Sequence, residues 1–228
     1  MSGVIVLSGP RTGSSAVGGL LDKLVFMGKS FQVADASNPT GYFEDLRFQY
    51  WNKELIGTHY GSGKIVTKIS GDMLKKLHGF VRWNETHHKF WGVKDPRFAW
   101  TFAAALPTIL KASPKLGVIF HTRAIEDAAK SLAKHSEIAY NGTKRMSYVQ
   151  ALDMQLAWDN ALGSAIDTAI GADLHAYATD YDTLVAETPE IVHELVQFIR
   201  QIYPQFEPSD SSIAAAIRFI EDRHGKRN

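Results

Sequence analysis

The chain has 228 residues, 45% of them hydrophobic and 21% charged, with a net charge of +1. That length can bury a full core, and the near-neutral balance supplies no basic field that would call for nucleic acid. There is no cysteine, which excludes disulfides and thiolate metal sites and fits a reducing compartment. No apolar run approaches the ~20 residues that cross a bilayer, and the first strand starts too early to leave room for a signal peptide. A soluble, cytoplasmic protein is the expectation.

Val4–Leu7 is a β-branched apolar run that reads as a buried strand. Gly9-Pro-Arg-Thr-Gly13 is turn-rich. Ser14 and Ser15 are N-cap types ahead of an apolar-periodic helix over Ser15–Met27, with Gly28 placed as its stop. Strand, glycine loop and helix together aim backbone N–H groups and a positive helix end at an anion, so the loop is read as holding a phosphate-bearing cofactor.

Further along, Phe31–Ala34 reads as a short strand, residues 35–41 as a loop, and Tyr42–Asp45 as the lead into a helix that runs through about Ile56. Gly57–Gly63, with His59 and Tyr60, reads as a glycine-rich connector or a lid over a site. Asp72–Lys89 suits a helix, and Ile65–Ile69 is too short to assign. Adjacent His87 and His88 do not share a helix face, and with no third ligand no metal site is expected. Phe90–Val93 is a second strand ending in Lys94-Asp-Pro-Arg97, and Ala99–Leu110 a helix. Leu116–Phe120 is a third strand ending in His121-Thr-Arg123, and Glu126–Lys134 a helix that carries Ser131. A polar connector over Ser136–Arg145, a long helix over Ser147–Ala169 and a strand over Leu174–Ala178 follow. Helices over Ile191–Ile202 and Ser209–Asp222 precede a basic tail, Arg223–Asn228, read as frayed. Alternating strands and helices with charges at strand ends predict a parallel sheet with its ligand chemistry at the carboxyl edge.

The loop is not the nucleoside-triphosphatase type. Aligned on Gly13, that pattern needs a glycine at Ser8 and a lysine at Ser14. The cation here is Arg11, and apart from Asp95 no second acidic site for Mg²⁺ is evident. A sulfuryl group carries less charge than a phosphoryl group, so Arg, Lys and backbone amides can manage its transfer without a metal.

Pro10-Arg-Thr-Gly-Ser-Ser15 resembles the 5′-phosphosulfate loop, P-[KR]-[ST]-G-[ST]-[ST], of sulfotransferases that use 3′-phosphoadenosine 5′-phosphosulfate (PAPS). Val118–Arg123 with Ser131 resembles the same family's 3′-phosphate element. Lys94-Asp95-Pro96 is similar to the Lys-Asp-Pro stretch of the tyrosylprotein and bacterial types, and Asn38-Pro-Thr-Gly-Tyr-Phe-Glu44 to a segment of bacterial members. Tyr177–Pro189 is similar to the stretch after the family's last strand. Arg11 stands where the cytosolic enzymes have Lys, and their C-terminal glycine-rich cofactor loop is not evident.

The resemblance implies an α/β, three-layer P-loop-type fold in a single domain over residues 1–228, with a central, mainly parallel sheet of about four or five strands. It implies PAPS-dependent sulfotransfer to a hydroxyl of a small-molecule, carbohydrate or lipid acceptor, leaving PAP. Arg11, Thr12, Gly13, Ser14 and Ser15 would hold the phosphosulfate, and Arg123 and Ser131 the 3′-phosphate. Lys94 would stabilise the leaving group, and Glu44 would be the base, with Asp45, Asp35 and His59 in reserve. Asp95 would orient Lys94 or bind substrate, and Tyr42, Phe43, Tyr60 and Trp91 are candidates for an acceptor pocket or for the core. A P-loop small-molecule kinase and a non-catalytic PAP-binding module are the alternatives.

Overall fold

Alternation along the first strand decides the layering. In the computed structural model, which describes residues 2–31, 34–35, 38–57, 64–139 and 145–225, β1 (Ser2–Ser8) is buried at every position. A period of two sends successive side chains to opposite faces, so a strand buried on both faces needs a cover on each.

Four parallel strands make the sheet. β1 pairs with β2 (Phe90–Lys94) and β3 (Leu116–Thr122), and β3 pairs with β4 (His175–Asp180), in the order β2-β1-β3-β4. Ile5, Leu7, Trp91, Val93, Val118 and Phe120 belong to one core cluster. Its cover comes from four helices: α2 (Leu46–Ile56) through Phe48 and Trp51, α3 (Gly71–His87) through Leu77 and Val81, α4 (Phe98–Ala112) through Phe102 and Ile109, and α6 (Tyr148–Gly171) through Leu162. Val4, Val6, Phe90 and Ile119 meet the other cover: Val17 and Leu20 of α1 (Ser14–Leu21), Leu195 and Ile199 of α8 (Thr188–Ile202), and Ile220 of α9 (Asp210–Arg223). α5 (Ile125–Ala139) packs on α6 through Ala129 and Leu132 against Ala151, and α7 (Tyr181–Ala186) follows β4 directly. The expected three-layer α/β architecture is the one observed.

Strand order reverses on either side of β1, and ligands of open parallel sheets bind at such a switch point, outside the carboxyl ends. Ser8 pairs with His121, Val6 with Lys94 and Thr122 with Asp180. The loop after β1, Lys94, Arg123 and the start of α7 therefore share one edge.

Several expected boundaries are corrected. α1 stops at Leu21 rather than Met27, because the Phe26 carbonyl accepts the Gly92 N–H at 2.8 Å and Phe26 bridges Trp91 in parallel, extending the β2 edge. Gly28 is not a helix stop. Its lack of a side chain lets Asp45 approach, for a Cβ there would sit 2.8 Å from the Asp45 Cβ. α5 runs through Ala139, into the expected connector. Ile65–Ile69 forms neither helix nor strand, and of the strand expected at Phe31–Ala34 the described part is a single antiparallel bridge, Phe31 to Asp45. The connector at Gly57–Gly63, with His59 and Tyr60, lies outside the described residues apart from Gly57, as do Gln32, Val33 and residues 226–228. Among the described residues no helix is long and apolar enough to cross a membrane.

Candidate active site

The loop after β1 is held from three sides. Thr12 Oγ1 donates to the Gly9 carbonyl at 2.9 Å, Gln155 Nε2 of α6 donates to the Pro10 carbonyl at 2.8 Å, and His121 Nε2 at the end of β3 donates to the Thr12 carbonyl at 3.0 Å. Arg11 and Gly13 adopt left-handed backbone, with φ of 63° and 92°. α1 begins at Ser14 with Gly13 as its N-cap, and no side chain caps it. The expected capping role of Ser14 and Ser15 is thus corrected: both lie inside the first turn, because the left-handed glycine makes the bend one residue earlier. Uncapped first-turn N–H groups at a positive helix end suit an outside anion.

A side chain at Gly13 would overlap the Tyr181 ring in addition to straining a positive φ. Gly13→Ala is therefore expected to lower stability by about 1–3 kcal/mol and to abolish anion binding at the loop, as read by thermal melts with and without PAP.

His121 is fully buried, and burial, offset in part by its bond to the Thr12 carbonyl, lowers its pKa to about 4. The folded protein thus keeps this imidazole neutral where the unfolded chain protonates it. Stability is complete above the ordinary histidine pKa of about 6.5 and falls as pH drops from there towards 4, by an amount on the order of 3 kcal/mol for this group. Melting temperatures between pH 7 and 4.5 are expected to fall more steeply for the native protein than for His121→Gln, whose amide can keep a donor on Thr12.

Cations converge on this loop. Arg11 Nε donates to Ser131 Oγ at 3.3 Å, so α5 runs beside the loop and Ser131 is within its reach. The Arg123 guanidinium lies 4.4 Å from the centroid of the Tyr181 ring, which covers Gly13. Tyr181 Oη stands 3.4 Å from His224 Nδ1. Arg223, the last residue of α9, donates to Thr40 Oγ1 and to Asn38 Oδ1. Burial, with the charge of nearby Arg11, lowers its pKa, and the tail expected to fray is docked at this residue. Tyr181, Arg223 and His224 had no assigned chemistry in the sequence. The signal was present in an aromatic residue directly after the last strand and an Arg closing the last helix, but only the tertiary fold brings them to Gly13.

Beside Ser15 lies a buried charge cluster. Lys94, 1% exposed, donates to Glu44 Oε1 at 2.9 Å, to the Tyr42 carbonyl at 3.1 Å and to Ser15 Oγ at 3.4 Å. The other Glu44 oxygen accepts from Arg97 Nη1 at 3.0 Å and Gln49 Nε2 at 2.9 Å. Burial pushes the Glu44 carboxyl up, but Lys94, Arg97 and the hydrogen bonds from Gln49 and Lys94 together hold it below its ordinary value. Asp95 accepts from Arg97 at 2.6 Å and from Asn52 at 3.0 Å, and burial raises its pKa against the pull of Arg97. Asp95 is fully buried and paired with Arg97, so Glu44 rather than Asp95 is the carboxylate in contact with Lys94. Phe43 carries a φ of 54°, a strained conformation for a bulky residue. It stands between the Phe31 and Phe219 rings, next to the Tyr42 carbonyl that meets Lys94.

The remaining candidates fall into other roles. Asp45 caps α2 through the Arg47 N–H and pairs with the Arg47 guanidinium. Asp35 accepts from Tyr42 Oη at 2.8 Å and from the Asn38 N–H at 3.0 Å. Trp91 is core, its indole N–H on Glu85. His87 and His88 stack on Trp83 and Phe26, and among the described residues no cluster has the make-up of a metal site. His59 lies outside the described residues.

A parallel sheet with a glycine loop and an uncapped helix at its switch point defines a P-loop-type α/β protein. Within that class, the mouse sulfotransferase SULT7A1, crystallised with PAP, shares the fold at a TM-score of 0.58 and 12% identity, covering 100% of this chain and 66% of that one. The chain thus spans just under two thirds of that structure's length. A sulfotransferase from Alicyclobacillus acidocaldarius matches at a TM-score of 0.51 and 10% identity, over 100% of this chain and 97% of the other. The fold is the one seen in sulfotransferases. No family model and no curated protein sequence matches the chain.

Proposed function

We propose that the protein transfers a sulfuryl group from PAPS to a hydroxyl group and releases PAP. One observation carries this reading: Arg11, Arg123, Arg223 and Lys94 gather around a single uncapped helix start. Lys94 already has the Glu44 carboxylate beside it, and the arginines around the helix start add a positive field that favours an anion there. In this account the amides of Thr12 to Ser15 and Arg11 take the phosphosulfate. Arg123 and Ser131, with Arg223 close by, take the 3′-phosphate, and the Tyr181 ring supplies an apolar wall beside the nucleotide.

The reaction follows from placement. The acceptor oxygen bonds to sulfur and its hydrogen leaves as a proton to the surrounding water, the bond from sulfur to the bridging oxygen breaks, and that oxygen leaves on PAP as an anion. Lys94, held at Ser15 by the Glu44 carboxylate and the Tyr42 carbonyl, is positioned to neutralise it. Glu44 holds Lys94 in this scheme; as the base it would have to give up an ion pair first. The acceptor class, whether small phenol, carbohydrate or lipid, and the cytoplasmic setting belong to the same proposal.

Lys94 beside Ser15 also suits a small-molecule kinase in which it replaces the missing loop lysine. Incubation with PAPS labelled on sulfur, in EDTA, against a panel of phenols, sugars and hydroxylated lipids tests the choice. Labelled sulfate on one acceptor class is expected. Phosphate transfer from ATP that depends on Mg²⁺, with no labelled product, would establish the kinase instead.

A further inference from the structure

The sheet order divides the active edge into two flanks. β3 and β4 lie on one side of β1, and the residues that follow them, Arg123, Ser131 and Tyr181, are those assigned to the nucleotide. β2 lies on the other side and ends at Lys94. An acceptor that reaches sulfur from across the loop therefore meets the elements around the end of β2. One is α2, whose Asn52 donates to Asp95 at 3.0 Å. Another is the stretch of residues 64–68, whose Val66 N–H donates to the Trp100 carbonyl near the start of α4 at 2.8 Å.

This second flank carries cations without counter-charges. Lys53 of α2 donates to Gln49 Oε1 at 3.1 Å, Gln49 donates to Glu44, and Glu44 pairs with Lys94. The Lys53 ammonium is thus three hydrogen bonds from the cation placed at the leaving oxygen. Glu44 is already shared by Lys94 and Arg97, and Asp95 is held by Arg97. Among the described residues no carboxylate comes within ion-pair distance of Lys53, Lys64 or Lys68, whereas Lys75 and Lys76 of α3 are paired with Asp72 and Glu54. Burial first and the Arg97 charge second lower the Lys53 pKa, with Glu44 and Asp95 opposing, as expected for an ammonium set beside a cluster whose acids are engaged elsewhere. The Tyr50 ring, 62% exposed, lies with its centroid 5.7 Å from the Lys53 ammonium and adds an apolar surface.

Resting on the sulfotransfer reading, we infer that the acceptor is a hydroxylated acid, whose carboxylate or similar anionic group is received by Lys53 while its hydroxyl faces sulfur at Lys94. Lys53 is the specificity-determining residue in this assignment and takes no part in making or breaking bonds. Lys64 and Lys68 lie at the rim and add to the attraction. A neutral acceptor of the same shape leaves the half-buried ammonium against an uncharged group, so the site discriminates between the two by charge. That discrimination weakens as salt is added, because the lysines at the rim are exposed.

The test measures labelled sulfate transfer from PAPS to matched acceptors: para-hydroxybenzoate and para-hydroxyphenylpropionate, each against its amide, and glucuronate against glucose. The native protein is expected to favour the acid of at least one pair by about tenfold or more in kcat/KM. Lys53→Met should abolish that preference through KM, Lys53→Glu should reverse it, and Lys53→Arg should keep most of it. PAP affinity by calorimetry should stay within about threefold in all three variants, which separates lost recognition from lost folding. A native protein that labels only neutral acceptors or favours neither member of any pair, a preference that survives Lys53→Met, or a loss of PAP affinity that parallels the loss of transfer overturns the assignment. A native protein that does not bind PAP, or that labels no acceptor in this set or in the panel above, overturns the sulfotransfer reading on which it rests.

Discussion

Arg123→Ala is expected to weaken PAP binding by about a hundredfold while leaving the fold in place. A guanidinium gripping a phosphate makes charge-assisted, often paired hydrogen bonds. Bonds to charged groups contribute about 1.5–3 kcal/mol each, and about 2.8 kcal/mol corresponds to two decades of affinity. The structural cost is smaller. Arg123 is half-buried at the sheet edge, and its one described ring contact is the Tyr181 face at 4.4 Å, a cation–π contact of about 0.5–1 kcal/mol. In a chain of this size that lowers the melting temperature by about 1–4 °C. Arg123→Lys should recover part of the affinity, because a point charge replaces the planar fork. Calorimetry with PAP and a melt without it separate the two effects, and equal PAP affinity in Arg123→Ala and the native protein would remove Arg123 from the site.

Lys94→Met is expected to have two effects that a second substitution pulls apart. Loss of a donor aimed at the departing oxygen costs about 10²–10³ in kcat. Loss of one partner from a buried pair leaves Glu44 and Arg97 imperfectly matched, and breaking such pairs costs about 3–5 kcal/mol, since Lys94 and Glu44 have side chains only 2% and 6% exposed. Adding Glu44→Gln removes the unmatched charge while keeping a polar side chain for Gln49 and Arg97. The double variant Lys94→Met/Glu44→Gln should therefore melt above Lys94→Met and remain as inactive as it. Residues within one network are not additive, and here the predicted non-additivity appears in stability alone. A double variant that regains sulfate transfer would show that Lys94 acts only by supporting the fold.

The sequence was most legible where one residue type had a single physical reason to be present. The apolar runs of β1, β2 and β3 are buried on both faces, and apolar continuity announces that. Gly9, Gly13 and the serines that follow announced a loop feeding a helix, and charges at the strand ends announced the active edge. Boundaries were legible only where a strong stop exists. Nothing local ends α1 at Leu21: the Phe26 carbonyl is captured by the Gly92 N–H, a contact between residues far apart in sequence. α7 was missed because it is 6 residues long and starts directly after the strand's last residue, Asp180, which serves as its cap.

The site divided along the same line. Arg11, Arg123, Ser131, Lys94 and Glu44 all carried a motif, and the structure brings Arg11 against Ser131 and Lys94 against Glu44. What spacing does not reveal is who neutralises whom. Asp95, adjacent to Lys94 in sequence, pairs with Arg97, while Glu44 reaches Lys94 across 50 positions. Arg223 and Tyr181 come to the loop through helix packing and strand order, for which no short pattern exists.

Calorimetric titration of the native protein with PAP in EDTA, set beside ATP with Mg²⁺, tests the convergence of these cations on one nucleotide most directly. The account predicts a single site for PAP whose affinity does not change when Mg²⁺ is supplied, and which is much tighter than that for ATP. Binding of ATP with Mg²⁺ and no heat from PAP would contradict it.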